Sequence, residues 1–173
     1  MKTTDCSVRT DPLWTKQTED DQRAPGTPAA ASRDETAETE EIVMTINERA
    51  EKAVELKNSG GYNCAQAVTA VLADRTGLTE EQLKHVTAGF GAGMGNLEAT
   101  CGALIGAGVI AGLRTGGLGT VKTARKIQEE FRSRCGAIRC RDLKTMTDGK
   151  PLCSCDDCVR NAVMICGEVL GLE

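Results

Sequence analysis

Nine cysteines and very few aromatic residues distinguish this chain of 173 residues. One of the nine is Cys6, and the other eight all lie after residue 60. These eight are Cys64, Cys101, Cys135, Cys140, Cys153, Cys155, Cys158 and Cys166. Thiols in this number are typical of a disulfide framework, of a metal or iron–sulfur site, or of redox-active thiols. The sequence therefore points first to sulfur chemistry.

Four of these cysteines fall in the first turns of predicted helices, namely Cys64, Cys101, Cys155 and Cys158. The N-terminus of a helix carries about half a positive charge and unpaired N–H groups, which both stabilise a thiolate. Cysteines in such places tend to have a lowered pKa and a raised reactivity or metal affinity. The alternative for Cys64 and Cys101 is that they are small, buried apolar residues.

The densest group of thiols is the segment 153–158, which contains one C-x-x-C pair. Such a pair can bind zinc or an iron–sulfur cluster, or it can act as a dithiol. A haem c attachment site is excluded because Val159 stands where that site needs histidine. His85 is the only histidine, and a second C-x-x-C is missing, so the sequence does not favour a zinc ribbon. Cys135 and Cys140 lie among arginines, which also favour thiolates.

The elements that must position these thiols are predicted to be helices separated by glycines. Capping boxes at Thr45–Glu48, Asn63–Gln66 and Thr79–Gln82 predict three helix starts. Further helices are predicted over residues 101–113, 120–136 and 154–170, with Thr100 capping the first of them, a glycine-rich loop at 89–96 and irregular chain at 137–153. Because no stretch shows the alternation of a strand, we predict an all-α fold. The expected architecture is a compact bundle of five or six short helices.

The core of this bundle is predicted to be rich in glycine and alanine. The spacings Gly102-x3-Gly106 and Gly108-x3-Gly112 would let helix backbones approach each other closely. Such a core buries little apolar area per residue. A bound metal, a disulfide or a homodimer interface would therefore supplement its stability.

The chain divides by composition into a tail and a body. Residues 1–43 are rich in acidic residues and proline and lack an apolar period, which predicts a disordered acidic tail or an extension of the domain. Residues 44–173 form the predicted cysteine-rich helical domain. The body is nearly neutral, which argues against nucleic-acid binding. The longest apolar run, residues 99–113, is too short to span a bilayer, and no export signal is visible, so we expect a cytoplasmic protein without membrane insertion.

Several motifs together resemble a known family. They are Gly61–Ala67 around Cys64, Gly89–Gly91 ahead of Cys101–Gly106, Cys140-x-x-Leu143, and Cys158–Val159. In this order they resemble the C_GCAxxG_C_C family of putative redox-active proteins, over residues 45–172. The resemblance implies that Cys64, Cys101, Cys140 and Cys158 form the working set. It also implies that Cys135, Cys153, Cys155 and Cys166 are additional, with Cys166 expected in the core.

Three functions compete on this basis. In the first, the four cysteines Cys64, Cys101, Cys140 and Cys158 converge and serve an unidentified redox partner, through thiol–disulfide exchange or an iron–sulfur cluster. The same four would be the ligands of a cluster or of zinc, with Cys155 and Cys135 as substitutes. In the second, the domain is a structural zinc module with four cysteine ligands. In the third, it is a helical interaction protein whose buried cysteines have no function.

Overall fold

The computed structural model describes residues 44–172. The predicted tail, residues 1–43, lies outside the described residues, and so does Cys6. Whether the tail is disordered, and whether a domain boundary falls at residue 44, therefore stay predictions.

The described part of the chain is helical, which confirms the all-α class. The α-helices are α1 Ile46–Asn58, α2 Cys64–Ala70, α3 Glu80–Val86, α4 Gly102–Thr115, α5 Thr120–Cys135, α6 Cys140–Leu143 and α7 Cys155–Leu170. Two short strands, β1 Met146–Thr147 and β2 Lys150–Pro151, pair antiparallel. Helix α6 and this hairpin occupy the segment 137–153, which we predicted to be irregular. None of the helices in residues 44–172 is both long and apolar enough to cross a membrane.

The predicted capping boxes form the starts of α1, α2 and α3. In each of them the capping side chain accepts a hydrogen bond from a backbone N–H, and a Glu or Gln three residues later reaches back. Asn63 is the cap of α2, so Cys64 is the first residue of that helix. Ser154 caps α7 by accepting from the N–H of Asp157 at 3.0 Å. Local sequence thus sets where two of the cysteine-bearing helices begin.

Helix α4 begins one residue later than predicted. The cap is Cys101 itself and not Thr100, because Thr100 forms an isolated antiparallel bridge with Arg139. The N–H of Cys101 donates to the carbonyl of Ile138 at 2.8 Å, and the N–H of Cys140 donates to the carbonyl of Ala99 at 3.0 Å. This bridge holds the backbones of two cysteines beside each other.

Of the two glycine pairs on α4 that were predicted to allow a close approach of helices, one does so. A Cβ at Gly102 would lie 2.5 Å from the Sγ of Cys64, and one at Gly106 would lie 2.8 Å from the carbonyl oxygen of Ala65. By contrast, a Cβ at Gly108 would meet nothing within 4 Å. Gly112 has only the Thr120 methyl group at 3.8 Å. The first pair of glycines therefore lets α4 lie against α2, and the second pair serves no close helix approach.

The core lies where α7 packs against α1, α4 and α5. Its largest fully buried side chains include Phe131 and Ile127 of α5, Ile110 of α4 and Ile165 of α7. Alanines fill much of the remaining space, as the composition predicts. The cluster of thiols described below lies at the ends of these same helices, so the core fixes the positions from which the cysteines project.

Candidate functional site

Seven of the eight cysteines in residues 44–172 form one connected cluster of thiols. All eight are free. Each of the seven lies close enough to another to hydrogen-bond with it or to interact with it electrostatically. The eighth, Cys166, lies about 12 Å further along α7 than Cys158, at 1.5 Å per helical residue. Its thiol donates instead to the carbonyl of Ala107 at 3.8 Å.

Cys101 and Cys158 form the central pair of the cluster. Each of the two thiols is the largest influence on the pKa of the other. The thiol of Cys158 lowers the pKa of Cys101 to about 7, against the opposing effect of burial. The pKa of Cys101 is lowered further by the N–H groups of Ala103 and Leu104 and by the charge of Lys144. The Cys101 side chain makes no capping hydrogen bond to α4. A thiolate therefore exists on Cys101 near neutral pH.

The proton of this pair stays on Cys158. Its hydrogen bonds to Cys101 and Cys135, together with burial, raise the pKa of Cys158 far above the ordinary value. The same thiol lowers the pKa of Cys135. Cys158 therefore keeps its proton beside two sulfurs whose pKa values it lowers, and it lies one turn into α7.

Cys135, Cys153 and Cys158 make up a compact group, which we call the inner triad. Their sulfurs all lie within 4.8 Å of one another. Cys135 ends α5, Cys153 follows β2 and Cys158 belongs to α7, so three different elements supply them. Burial raises the pKa of Cys153 to about 12, with the neighbouring Cys135 thiol as the next cause. This group of thiols could hold a metal ion.

Cys64 lies at the half-buried edge of the cluster. Gly102 makes room for its sulfur at the start of α4. Burial raises the pKa of Cys64, and hydrogen bonds from the backbone of Ala92 and Ala65 partly offset this effect. Cys101 and the other half-buried thiol, Cys155, lie close enough to raise it as well. Cys64 and Cys155 are thus the two thiols of the cluster that solvent reaches most easily.

Cys140 is held under the glycine-rich loop. A Cβ at Gly93 would lie 2.7 Å from the Cβ of Cys140, so only glycine fits there. The carboxylate of Glu98 binds the guanidinium groups of both Arg139 and Arg141, which pins the loop to the start of α6. Burial raises the pKa of Cys140 most, and the charge of Cys101 raises it more than that of any other thiol does.

The comparisons with known proteins identify a family. The family described as "Putative redox-active protein (C_GCAxxG_C_C)" matches residues 62–169, which contain all seven clustered cysteines. The chain belongs to this family. The match confirms the resemblance that the sequence motifs indicated. Comparisons with curated proteins and with solved structures gave no significant match.

The structure places the four family cysteines unevenly. Cys158 has the largest effect on the pKa of Cys101, whereas Cys64 and Cys140 are linked to Cys101 only through its charge. Among the described residues, only the inner triad has all its sulfurs within 4.8 Å of one another. That the four share one centre therefore stays a prediction.

Sequence reasoning treated Cys135 and Cys153 as additional, yet both lie directly beside Cys158. Two local signals mark their places: Gly136, which ends α5, and the Asp148-Gly149 turn, which reverses the chain ahead of Cys153. Neither signal predicts that the sulfurs of Cys135 and Cys153 lie close together.

Proposed function

We propose that this family member is a thiol–disulfide redox protein whose reactive pair is Cys101 and Cys158. The observation that supports the proposal is the mutual influence of these two thiols, at the starts of α4 and α7, on each other's pKa. Helices of 14 and 16 residues have positive N-terminal ends, which stabilise a thiolate there.

The reaction follows from the two protonation states. The Cys101 thiolate attacks one sulfur of a disulfide substrate, and the other substrate sulfur leaves as a thiolate. Cys158 then gives up its proton and attacks the Sγ of Cys101, which releases the second substrate thiolate. The substrate gains two electrons, and its two thiolates become thiols by taking up the proton that Cys158 released and one proton from water. The protein is left with a Cys101–Cys158 disulfide, and a dithiol reductant reverses these steps.

Access to this pair runs through Cys64. Cys101 is only 5 % exposed, which excludes direct contact with a bulky protein disulfide. Cys64 is half-buried and interacts with Cys101 across Gly102. A large partner would therefore exchange first with Cys64, and Cys101 would then attack the resulting mixed disulfide at the sulfur of Cys64. Small disulfides would reach Cys101 directly.

The test is to oxidise the reduced, metal-free protein with glutathione disulfide and to map the bonds by mass spectrometry. We expect one reversible two-electron couple and a peptide cross-linked between Cys101 and Cys158. Cys101→Ser and Cys158→Ser should each abolish it, whereas the matched variants Cys155→Ser and Cys166→Ser should retain it. Oxidation that joins other cysteines and leaves Cys101 and Cys158 free would refute the proposal.

Iron–sulfur ligation by Cys64, Cys101, Cys140 and Cys158 is a second candidate. One observation favours it: Cys64 and Cys140 both approach Cys101, and a simple dithiol does not need them. Protein purified without oxygen would then contain iron and absorb visible light. Colourless, iron-free protein with the two-electron couple would favour the dithiol. Stoichiometric zinc whose removal by a chelator unfolds the helices would instead indicate a structural zinc module.

A further inference from the structure

The inner triad supplies more thiols than the redox pair requires. We propose that Cys135, Cys153 and Cys158 bind a thiophilic divalent metal ion of the zinc type through three thiolates, with its fourth position open to a cavity beside Cys153. The family description names no metal site. Cys135 and Cys153 also lie outside the four cysteines that the sequence motifs single out.

The spacing of the sulfurs fits such an ion. A tetrahedral zinc ion with Zn–S bonds of about 2.3 Å places its ligand sulfurs about 3.8 Å apart. The three sulfurs already lie within 4.8 Å of one another without any ion. Contraction by about 1 Å or less therefore completes the site, which side-chain rotation can provide.

The backbone around the triad is well fixed. Cys135 is the last residue of α5, immediately before the C-cap Gly136, which has a φ of 85°. The N–H of Cys153 donates to the carbonyl of Leu143 at 3.1 Å, which ties the end of the hairpin to α6. Cys158 projects from the first part of α7 after the Ser154 cap. The ligands thus come from rigid positions, as a selective metal site requires.

Polar groups around the triad suit the negative charge of a metal–thiolate site. Asn161 donates its Nδ2–H to the Sγ of Cys135 at 3.6 Å, as outer partners of metal ligands commonly do. Arg134 and Lys150 line the same side. Three thiolates around a divalent ion leave one net negative charge. Lys150 and the N-terminus of α7 offset this charge, whereas Arg134 is paired with Glu168 and the carboxylate of Asp157 lines the same cavity.

A cavity gives the site a route to solvent. It has a volume of about 370 Å³, large enough for several waters at about 30 Å³ each. Its lining includes Arg134, Lys150, Leu152, Cys153, Asp157 and Asn161. An ion can therefore enter beside Cys153, and a water from the cavity can complete its coordination.

Metal binding and disulfide formation would compete for Cys158. A Cys158 thiolate bound to the ion cannot attack Cys101, so the metal would hold the protein in its reduced form. This consequence rests on the proposed function, whereas the metal site itself does not.

Cobalt(II) is the probe, because its thiolate complexes give sulfur-to-metal charge-transfer absorption. We expect the reduced, metal-free protein to bind one equivalent anaerobically and zinc to displace it. Cys135→Ser and Cys153→Ser should each weaken binding at least about 100-fold, since losing an outer partner alone costs about 10–100-fold. Cys155→Ser and Cys64→Ser are matched controls that should bind as the wild type does.

Two outcomes would overturn the site. The first is absence of cobalt binding in protein whose circular dichroism shows intact helices. The second is binding that survives in Cys135→Ser and Cys153→Ser but is lost in Cys64→Ser or Cys140→Ser, which would assign the metal to the family cysteines. Asn161→Leu provides a variant that keeps all thiols, and we expect about 10-fold weaker binding from it.

The metal site and the redox pair can fail separately. Cys101→Ser should lose the disulfide and keep cobalt binding. If the metal-free wild type never forms the Cys101–Cys158 bond, the proposed function fails while the cobalt titration still decides the site. If zinc-loaded wild type oxidises as fast as metal-free protein, metal binding and disulfide formation do not compete for Cys158.

Discussion

Cys101 and Cys166 are two buried thiols beside the same helix, and their pKa values are shifted in opposite directions. Cys166 abuts the middle of α4, where its thiol donates to the carbonyl of Ala107. Burial raises the pKa of Cys166 to about 12. Cys101 is almost as deeply buried but caps the N-terminus of α4, and its pKa is lowered to about 7. Depth of burial therefore does not predict which thiol is reactive.

The difference teaches what a reactive thiol in this fold needs. At the middle of a helix the backbone offers Cys166 only an acceptor, which holds the thiol proton in place. At the helix start, N–H groups and the Cys158 thiol all face the Cys101 sulfur and favour its anion. A hydrogen-bond donor from a second thiol is the largest of these effects.

The largest expected contrast is in the rate of alkylation. At pH 7 a thiol of pKa about 7 is half ionised, whereas one of pKa about 12 is ionised in about one molecule in 100,000. In chelator-treated, reduced protein we expect iodoacetamide to label Cys101 long before Cys166, which should react only on unfolding. The rate at Cys101 should rise with pH and level off above pH 7 to 8. Peptide mass spectrometry would follow both sites, and early labelling of Cys166 would contradict the comparison.

Removing the thiol donor should make Cys101 more like Cys166. A hydrogen bond to a charged group is worth about 1.5–3 kcal/mol, or about one to two pKa units. Cys158→Ala should therefore raise the pKa of Cys101 and reduce its alkylation rate at pH 7 about 5- to 50-fold, since half of the thiol is ionised at the start. Cys155→Ala is the control, because Cys155 is not among the main causes of the shift at Cys101. An unchanged rate profile in Cys158→Ala would assign the low pKa to the helix start alone.

The close approach at the start of α4 can be tested with two glycines of that helix. Gly102→Ala would place a methyl 2.4 Å from the carbonyl oxygen of Phe90 and 2.5 Å from the Sγ of Cys64. We expect a loss of about 1–3 kcal/mol in the free energy of unfolding, as overpacking typically costs. Gly108→Ala meets nothing within 4 Å and should stabilise the helix by about 0.5–1 kcal/mol. Urea denaturation measures the free energy of unfolding of both variants. Equal effects would show that the residues around Cys64 can move to accommodate the added methyl group.

Much of the fold was predictable because its signals are local. Asn63 caps α2 and reaches the N–H groups of residues two and three positions on, so the sequence alone locates Cys64 at a helix start. Ser154 does the same for α7. In contrast, Thr100 fails as a cap because it pairs with Arg139, and no local pattern encodes that bridge.

The inner triad was not predictable for a related reason. Its formation depends on the return of the chain after α6, where the N–H of Leu152 donates to the carbonyl of Thr145 at 3.0 Å. This hairpin brings Cys153 back toward the end of α5. Spacing alone draws attention to the C-x-x-C pair of Cys155 and Cys158, and the motif resemblance placed Cys135 and Cys153 outside the working set. The structure groups Cys158 with Cys153 and Cys135 instead.

The smallest expected effect is at Cys166, and it completes the comparison. Cys166→Ala removes one buried sulfur whose only hydrogen bond is a long one to Ala107. We expect a loss of about 1 kcal/mol in the free energy of unfolding, from the small cavity left behind. Disulfide formation and cobalt binding should not change, because Cys166 lies about two turns of α7 away from Cys158. A loss of either property in a folded Cys166→Ala protein would mean that the cluster extends into the core, and that Cys166 is not the inert reference it is taken to be.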